Sequence, residues 1–531
     1  MTKEQPKRIE LTVQEVDALI ERTKQESLIK PDYPLLVAIV RNYFTLDRIH
    51  QEQSHTLLRF VNRLFGHRTE KAEGVFKSPS PEQEPSPSRV AQKGSPKEKP
   101  KGHGRNGASS YQGAEKVCVP HPCYKAGDRC PLCPKGKLYP FYEPALVVRI
   151  VGRAPLEAKV YELEKLRCNL CGKLFTAQVP EAGKDKYDKT AGAMVALLKY
   201  GSGLPFNRLE KLQECFGLPL PTSTQWEIVE RTANKIHPVY SELIRQAAQG
   251  QLLYNDDTTM KILANLKKPE VDDGTSGKGS FTTGVLAERD KRRMALFFTG
   301  PKHAGDNMRA LLEQRDSGLS PPIQMCDALS RNVPKEFETL LAHCLAHARR
   351  NFMDLVPSFP EQCRFVIEAL AKVYHHDKMA KEQALSADQR LQFHQDRSGP
   401  VLEGLKEWLK KQLNEQKVEP NSSMGKAITY MLNHWEPLTL FLRIAGAPLD
   451  NNLCEQVLKR AILHRKGSLF FKTQHGAYIG DLFMSLIHTC TLNHVNPFHY
   501  LTTLQKHSSK LFKNPKQWLP WNYKEAAINP A

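Results

Sequence analysis

The sequence predicts a multidomain protein of mixed α+β and α/β class, with a sheet-containing core that follows several smaller modules. Its 531 residues are too many for one hydrophobic core and suggest about three or four domains. Apolar residues follow a helical period before residue 249 and then alternate over short segments, as they do in strands. Between residues 72 and 116, Pro, Ser, Lys and Gly dominate, which predicts a disordered basic linker that acts as a tether.

The charge of the chain favours a polyanionic partner. The net charge is +19 and the isoelectric point is near 9.3, which favours nucleic acid first and an anionic membrane surface second. No apolar run approaches the roughly 18 residues of a membrane span, and the opening MTKEQPKRIE lacks the apolar region of a signal peptide. We therefore expect a cytoplasmic, nucleoid-associated protein with no membrane partner.

Residues 1–71 are predicted to form a zipper-like helical region. Apolar residues recur in alternating steps of three and four from Leu36 to Leu64, with one polar layer at His50 and Gln53. This seam is typical of a coiled-coil dimer, and it is equally compatible with an amphipathic helix that packs on its own chain.

Two matched cysteine pairs predict a zinc ribbon at residues 117–180. Cys130 and Cys133 form one Cys-x-x-Cys motif, and Cys168 and Cys171 form the other. Four thiolates in two such turns supply the tetrahedral geometry that structural Zn²⁺ prefers. The residues between the pairs are typical of strands, and in a chain without a secretory signal metal binding is favoured over disulfides.

Residues 181–248 are predicted to be helical. One helix should start at Pro205 and end at Gly217, and a second should begin with a capping box formed by Thr222 and Gln225. Two helices on a short turn resemble a helix-turn-helix, and an ordinary helical hairpin explains them equally well.

Residues 249–352 are predicted to form the first part of the core. Strands are expected at 251–259, 281–288 and 292–300, a helix at 304–316, a fourth strand ending at Asp327, a helix at 333–342 and a fifth strand at 343–347. With the helical stretch that follows, this order is that of a ribonuclease-H-like fold, in which the first and fourth strands lie side by side.

Carboxylates fall where such a fold would bring them together. Asp256 lies on the first strand and Asp327 ends the fourth, so the two are expected to meet. A third acid should come from a later helix that Asp450 or Asn451 begins and that carries Glu455 on its first turns. Carboxylate oxygens are preferred ligands of Mg²⁺, so these three acids are expected to hold Mg²⁺, or Mn²⁺, for phosphoryl transfer.

The long spacing between Asp327 and Glu455 predicts a helical insertion at residues 353–445. The end of the catalytic core would then occupy residues 446–490, and a C-terminal tail would occupy 491–531.

Basic side chains near these acids are candidates for contacts with DNA phosphates. They are Arg349, Arg350, Lys459, Arg465 and Lys466. For the two adjacent arginines, an ordinary solvated face is a competing interpretation. Cys344 and His347 have the spacing of a metal-binding pair, although a buried cysteine and a positioning histidine are favoured.

Several of these motifs match one known family. The chain resembles bacterial DDE transposases of the insertion-sequence 66 family over nearly its whole length, through LFGHRTEK, the paired Cys-x-x-Cys, DDTT, CLAHARRNF and LDNNLCEQVLKRAILHRKGSLFF. The resemblance implies that Asp256, Asp327 and Glu455 are the catalytic acids. Thr259 stands where the family usually has proline, and Ala-Leu-Ser follows Asp327 where Gly-Tyr is common, so Asp257 stays open as an alternative to Asp256.

The resemblance also implies a reaction and partners. A family member would cut DNA at the terminal inverted repeats of its element and join the ends to target DNA, as a homodimer or higher oligomer, with small companion proteins of the same element. Two other functions are considered: a non-catalytic zinc-containing DNA-binding regulator and another ribonuclease-H-like DNA nuclease. The three intact carboxylates disfavour the first, and the zipper and zinc ribbon fit the second poorly.

Overall fold

The computed structural model describes residues 13–25, 27–39, 122–132, 136–139, 154–167, 174–266 and 279–528. Most of the predicted zipper seam, the linker, and the cysteines Cys133, Cys168 and Cys171 lie outside these residues. The chain divides into two compact units, one of Pro79–Pro155 and the other of Met1–Ser78 with Leu156–Ala531. Within the described residues, no helix is long and apolar enough to cross a membrane.

In the smaller unit, a short antiparallel pairing surrounds Cys130. Arg129 forms a bridge with Lys137, and the amide of Cys130 donates a hydrogen bond of 2.9 Å to the carbonyl of Gly136. The chain therefore reverses direction just after Cys130, in the segment that carries the first cysteine pair.

In the larger unit, a hairpin flanks the second cysteine pair. Strand β1 (Lys165–Arg167) pairs antiparallel with β2 (Leu174–Thr176). Cys168 and Cys171 belong to the connecting segment, which is outside the described residues. The zinc ribbon therefore stays a prediction.

Within the described residues, the helices that precede the main sheet include α1 (Val13–Lys24), α2 (Lys189–Ala196), α3 (Phe206–Cys215) and α4 (Thr222–Ala248). A π-helical turn, Leu197–Gly201, continues α2. The helices predicted on either side of the turn at residues 217–221 are present in the structure.

The capping box predicted for α4 is wrong. Pro221 occupies the N-cap position, and no side chain caps the helix. Gln225 is fully buried, and its amide donates to the carbonyls of Leu220 at 2.8 Å and Phe206 at 3.1 Å. The buried side chain of Gln225 thus satisfies the carbonyl of Leu220 in the connecting turn and that of Phe206 at the start of α3.

The main sheet has five strands in the order β5-β4-β3-β6-β7. The strands are β3 (Leu252–Met260), β4 (Ser280–Arg289), β5 (Arg292–Gly300), β6 (Ile323–Cys326) and β7 (Leu340–His343). β3, β4 and β5 form an antiparallel meander, whereas β6 runs parallel to both β3 and β7. As predicted, the first and fourth strands of this sheet are neighbours.

The connection after β6 differs from the prediction. Residues 333–342 do not form the predicted helix, and only a 3₁₀ turn, Ser330–Asn332, separates β6 from β7. The fifth strand is also shorter and earlier than the predicted 343–347, because the next helix begins at Leu345. The apolar run TLLAHCLA suits either structure, and parallel pairing with β6 selects the strand over its first half.

Helices cover the sheet and fill the remainder of the chain. They are α5 (Ala304–Leu312), α6 (Leu345–Met353), α7 (Pro360–Glu382), α8 (Ala387–Arg397), α9 (Gly399–Asn414), α10 (Ser423–Asn433), α11 (Asn452–Ser468), α12 (Gln474–Leu492) and α13 (Pro497–Lys506). Four short helices complete the list: Leu263–Leu266, Trp435–Leu438, Ser508–Leu511 and Tyr523–Ile528. Helices α7 to α10 occupy the region predicted to be a helical insertion.

Helix α12 lies along the outer strand β5 and hydrogen-bonds its backbone. The amides of β5 residues 293, 295, 297 and 299 donate to Asn493, Thr489, Ser485 and Asp481, at 3.3, 3.0, 3.0 and 2.6 Å respectively. Four helical residues rise about 6 Å and two strand residues rise nearly 7 Å. This match lets one polar stripe of the helix follow the whole strand.

Candidate active site

Two acids from adjacent parallel strands lie at the same end of the sheet. β3 and β6 pair with Tyr254 opposite Met325. Asp256 lies two residues beyond Tyr254, within β3, and Asp327 lies two residues beyond Met325, directly after the end of β6. Since the strands are parallel and in this register, the two predicted residues lie on neighbouring strands at the same level of the sheet.

A turn that the sequence analysis did not identify holds Asp327. The side-chain amide of Asn332 donates to Asp327 Oδ1. The carbonyl of Asn332 in turn accepts from the side chains of Asn255, at 2.8 Å, and Gln324, at 2.9 Å. Since these two residues belong to β3 and β6, the turn that carries Asp327 is tied to both central strands.

The third predicted acid, Glu455, is brought to these strands by the start of α11. Asn451 is fully buried at the N-cap position, and its side-chain amide donates to the carbonyl of Asn255 on β3 at 3.1 Å. Gly284 on β4 lets the helix approach closely, because a Cβ there would lie 3.1 Å from Leu458. The amide of Asn452 donates to Asp450 at 3.2 Å, whereas the side chain of Asn451, at the N-cap, caps no helix amide and anchors the helix to the sheet instead.

The electrostatics of Asp256 reflect this crowding. Burial is the largest cause that raises the pKa of Asp256, to about 7, and repulsion from Asp327, Asp257 and Glu455 raises it further. A hydrogen bond from the amide of Asp257 acts in the opposite direction and lowers this pKa. Several acids in one partly buried place favour the neutral form of one of them unless a cation balances the charge.

The carboxylate of Asp257 lies on the opposite face of the sheet, where it is hydrogen-bonded. Its carboxylate accepts hydrogen bonds from the Thr283 hydroxyl at 2.6 Å and from the Ala304 amide at 3.0 Å, and its Oδ2 lies 3.2 Å from His303 Nδ1. Only 3% of the side chain is exposed. Ala304 begins α5, so Asp257 anchors the start of that helix, where an anion is favoured.

The donor set at Asp256, Asp327 and Glu455 fits a hard divalent cation. All three offer carboxylate oxygens, which Mg²⁺ and Mn²⁺ prefer. Glu455 Oε1 is buried and has no hydrogen-bond partner, and a buried carboxylate oxygen without one is costly unless a ligand satisfies it. These residues could therefore hold a divalent metal ion.

The predicted basic residues lie on the two helices nearest the acids. Arg349 and Arg350 are on α6, and Lys459 and Lys466 are on α11, with both lysines exposed. Arg465 is held at the end of β3, where its guanidinium donates to the hydroxyls of Thr258 at 3.0 Å and Thr259 at 2.8 Å.

Cys344 and His347 also reach the site. Cys344 is buried at the N-cap of α6, and burial raises the pKa of its thiol to about 11. His347 lies in the first turn of α6, with its Nε2 3.8 Å from Glu455 Oε1. The structure thus places both residues beside the third acid.

The mixed five-stranded sheet with its surrounding helices is compatible with the core of a DDE nuclease. A sequence profile of the Transposase IS66 family matches residues 186–479, more than half of the chain. The chain belongs to this family.

The chain is also similar to proteins of one bacterium. The chain is 27% identical over 410 residues to the uncharacterized protein y4hP of Sinorhizobium fredii (strain NBRC 101917 / NGR234), covering 72% of this chain and 71% of that one. It is 26% identical over 361 residues to the uncharacterized protein y4jD of the same strain, covering 64% of this chain and 66% of the relative.

Proposed function

We propose that the protein is a DDE transposase with a ribonuclease-H-like core, which cuts DNA at the ends of its element and joins them to target DNA. The observation that carries the proposal is the separation of two adjacent acids. Asp257 is saturated by hydrogen bonds on one face of β3, whereas Asp256 turns to the other face, toward Asp327 and Glu455. Membership of the transposase family supports the same function.

Two phosphoryl transfers would take place at this site. In the first, a water oxygen attacks the phosphate at the element end and the P–O3′ bond breaks, which leaves a 3′ hydroxyl on the element and a 5′ phosphate on the flank. In the second, that 3′ hydroxyl attacks a target phosphate, a new P–O bond forms, and the target O3′ leaves with the proton. Bound Mg²⁺ or Mn²⁺ would supply an activated oxygen nucleophile and charge stabilisation.

The protein's own groups would hold the reactants. Asp256, Asp327 and Glu455 would bind the cation, and the hydrogen bonds through Asn332 and Asn451 would fix two of these acids relative to β3. Basic residues on α6 and α11 would bind DNA phosphates on either side of the acids: Arg349, Arg350, Lys459, Arg465 and Lys466.

The N-terminal modules would recognise and pair the DNA ends. We propose that one structural Zn²⁺ is held by Cys130, Cys133, Cys168 and Cys171, and that the seam of residues 36–64 forms a homodimer. Small companion proteins of the same element would join this assembly on DNA.

The direct test is Mg²⁺- or Mn²⁺-dependent nicking and joining of a labelled duplex that carries one end of the encoding element. The expected products are a nicked strand with a 3′ hydroxyl and a joined product with target DNA. A scrambled end sequence is the matched control for specificity. Binding of the end without any nicking in either metal would favour a non-catalytic regulator, and nicking without end preference would favour a different nuclease.

A further inference from the structure

Three potential ligands of different chemistry converge where α6 and α11 begin. The sulfur of Cys344, a ring nitrogen of His347 and a carboxylate oxygen of Glu455 all lie within 4.8 Å of one another. Only Glu455 belongs to the proposed set of catalytic acids. Cys344 and His347 have no part in the phosphoryl transfers described above.

Two polar atoms of this cluster are left without a hydrogen-bond partner. His347 Nε2 and Glu455 Oε1 are 3.8 Å apart, which is too long for a hydrogen bond. Glu455 Oε1 and His347 Nδ1 are both buried without a hydrogen-bond partner. Two ligand atoms of one tetrahedral metal, with bonds of about 2.0–2.1 Å, lie roughly 3.3 Å apart. A small shortening of the 3.8 Å distance would therefore let one metal bind both His347 Nε2 and Glu455 Oε1.

The position of Cys344 is fixed by the fold. Its sulfur accepts a hydrogen bond from the amide of Asn451 at 3.3 Å, and the amide of Cys344 donates to the carbonyl of Cys326 at 3.0 Å. The thiol is therefore anchored between the end of β6 and the start of α11. Amide donors directed at a sulfur stabilise the negative charge that the sulfur carries when it binds a metal.

The mixture of ligands selects the kind of metal. Sulfur and imidazole ligands with one carboxylate suit Zn²⁺ and related transition metals, whereas Mg²⁺ prefers oxygen ligands throughout. The cluster thus differs in chemistry from the all-carboxylate set of Asp256, Asp327 and Glu455, although the two share one residue.

We propose that Cys344, His347 and Glu455 form a second metal site, which takes Zn²⁺ and removes Glu455 from the catalytic acids. The inhibitory consequence rests on the proposed transposase function, but the binding itself does not. Because one carboxylate serves two sites, Zn²⁺ would switch the protein into a state that binds DNA ends but does not cut them. Removal of Zn²⁺ would return Glu455 to the catalytic set.

Binding is tested by Zn²⁺ titration of the full-length protein, with the zinc present after purification left in place. The expected result is one further Zn²⁺ per chain in calorimetry, weakened at least tenfold by Cys344→Ser and by His347→Gln. Cys363→Ser is the matched control, since Cys363 is also a fully buried cysteine on a neighbouring helix. Co²⁺ added as a probe should give a thiolate-to-cobalt absorption band that Cys344→Ser removes and Cys363→Ser retains.

The functional arm measures Mg²⁺-dependent nicking against added Zn²⁺. Wild type and Cys363→Ser should lose activity as Zn²⁺ fills the site, and Cys344→Ser should resist it by tenfold or more in Zn²⁺ concentration. The proposal is overturned if wild type takes up no further Zn²⁺, or if Cys344→Ser binds it equally well. A wild type that binds the extra Zn²⁺ but never nicks DNA would contradict the transposase proposal and leave the metal site standing.

Discussion

Asp256 and Asp257 are consecutive in β3, and their carboxylates serve opposite faces of the same sheet. Asp256 is half-buried near Asp327 and Glu455, whereas Asp257 accepts hydrogen bonds from Thr283 and from the first amide of α5. Side chains alternate along a strand, so a shift of one residue would exchange the two roles. The pairing of Asp256 with Gly284 and of Asp257 with Thr283 sets this register.

Neutralising any of the proposed catalytic acids should abolish DNA cleavage. Asp256→Asn, Asp327→Asn and Glu455→Gln should each reduce nicking by roughly 10³-fold or more, and double variants should be scarcely worse, because acids that bind a metal jointly act as a unit. Gel assays of a labelled element end measure this loss. Binding of the same DNA should persist, and full activity in all three variants would contradict the proposed role of these acids in binding the catalytic metal.

Asp257→Asn is the matched control one residue away. It should lower the free energy of unfolding by about 1–3 kcal/mol, because a buried network of hydrogen bonds loses its charged acceptor. Nicking per folded molecule should be largely retained. Chemical denaturation and the nicking assay on the same preparation separate the two effects, and the opposite pattern for Asp256 and Asp257 would mean that the strand register is one residue off.

Asp481 should make stability depend on pH. Burial raises the pKa of this carboxyl to about 7, although hydrogen bonds from Thr299 oppose the shift. The protonated form is therefore favoured in the folded state. Its contribution to stability is complete below about pH 4 and is lost as the pH rises toward 7, by a total on the order of 2–4 kcal/mol.

Asp481→Asn isolates this effect, because asparagine resembles the protonated acid and does not titrate. The unfolding free energy of wild type minus that of the variant should be more positive at pH 4 than at pH 7.5. Urea denaturation at several pH values measures it, and the difference cancels contributions from other acids. A difference that stays constant over this range would show that Asp481 is ionised throughout.

Zinc should be structural in the N-terminal part of the chain. Elemental analysis of protein purified without chelator should find about one Zn²⁺ per chain, and Cys168→Ser should release it while the main sheet stays folded. Cys215→Ser is the control, since this exposed cysteine belongs to neither pair. Absence of zinc in the wild type, or loss of zinc in Cys215→Ser alone, would contradict the ribbon.

DNA binding should weaken steeply with salt, because the basic surface displaces counterions from the phosphates. Lys459→Ala and Lys466→Ala remove exposed charges from α11, and each should reduce the salt slope of the logarithm of the affinity by about 1. Lys410→Ala, an exposed lysine on α9, should leave the slope unchanged. Equal slopes for all three variants would place the DNA elsewhere.

The central strands could be predicted because their signals are local. β3, β4 and β5 are long, rich in β-branched and apolar residues, and bounded by turn residues, and their observed bounds differ little from the predicted ones. β7 has only four residues, within an apolar run that continues directly into α6. Its state depends on pairing with β6, which a local pattern does not reveal.

The acids of the candidate site were also accessible from the sequence, since strand order alone places Asp256 and Asp327 together. The residues that hold them were not. Asn332 and Asn451 act through partners on β3 that are distant in the chain, and the single relevant signal was Asn451 as a candidate start of the helix that carries Glu455. Interactions of this kind become visible only when the tertiary structure is known.

The partnership of α12 with β5 closes one edge of the main sheet. An outer strand usually offers free amides and carbonyls that a strand from another molecule can complete. Here the outward amides and carbonyls of residues 293, 295, 297 and 299 all have side-chain partners, from α12 and from Tyr240. On this side, the core resists templated strand addition, so a strand from another molecule has no free backbone groups to pair with along β5.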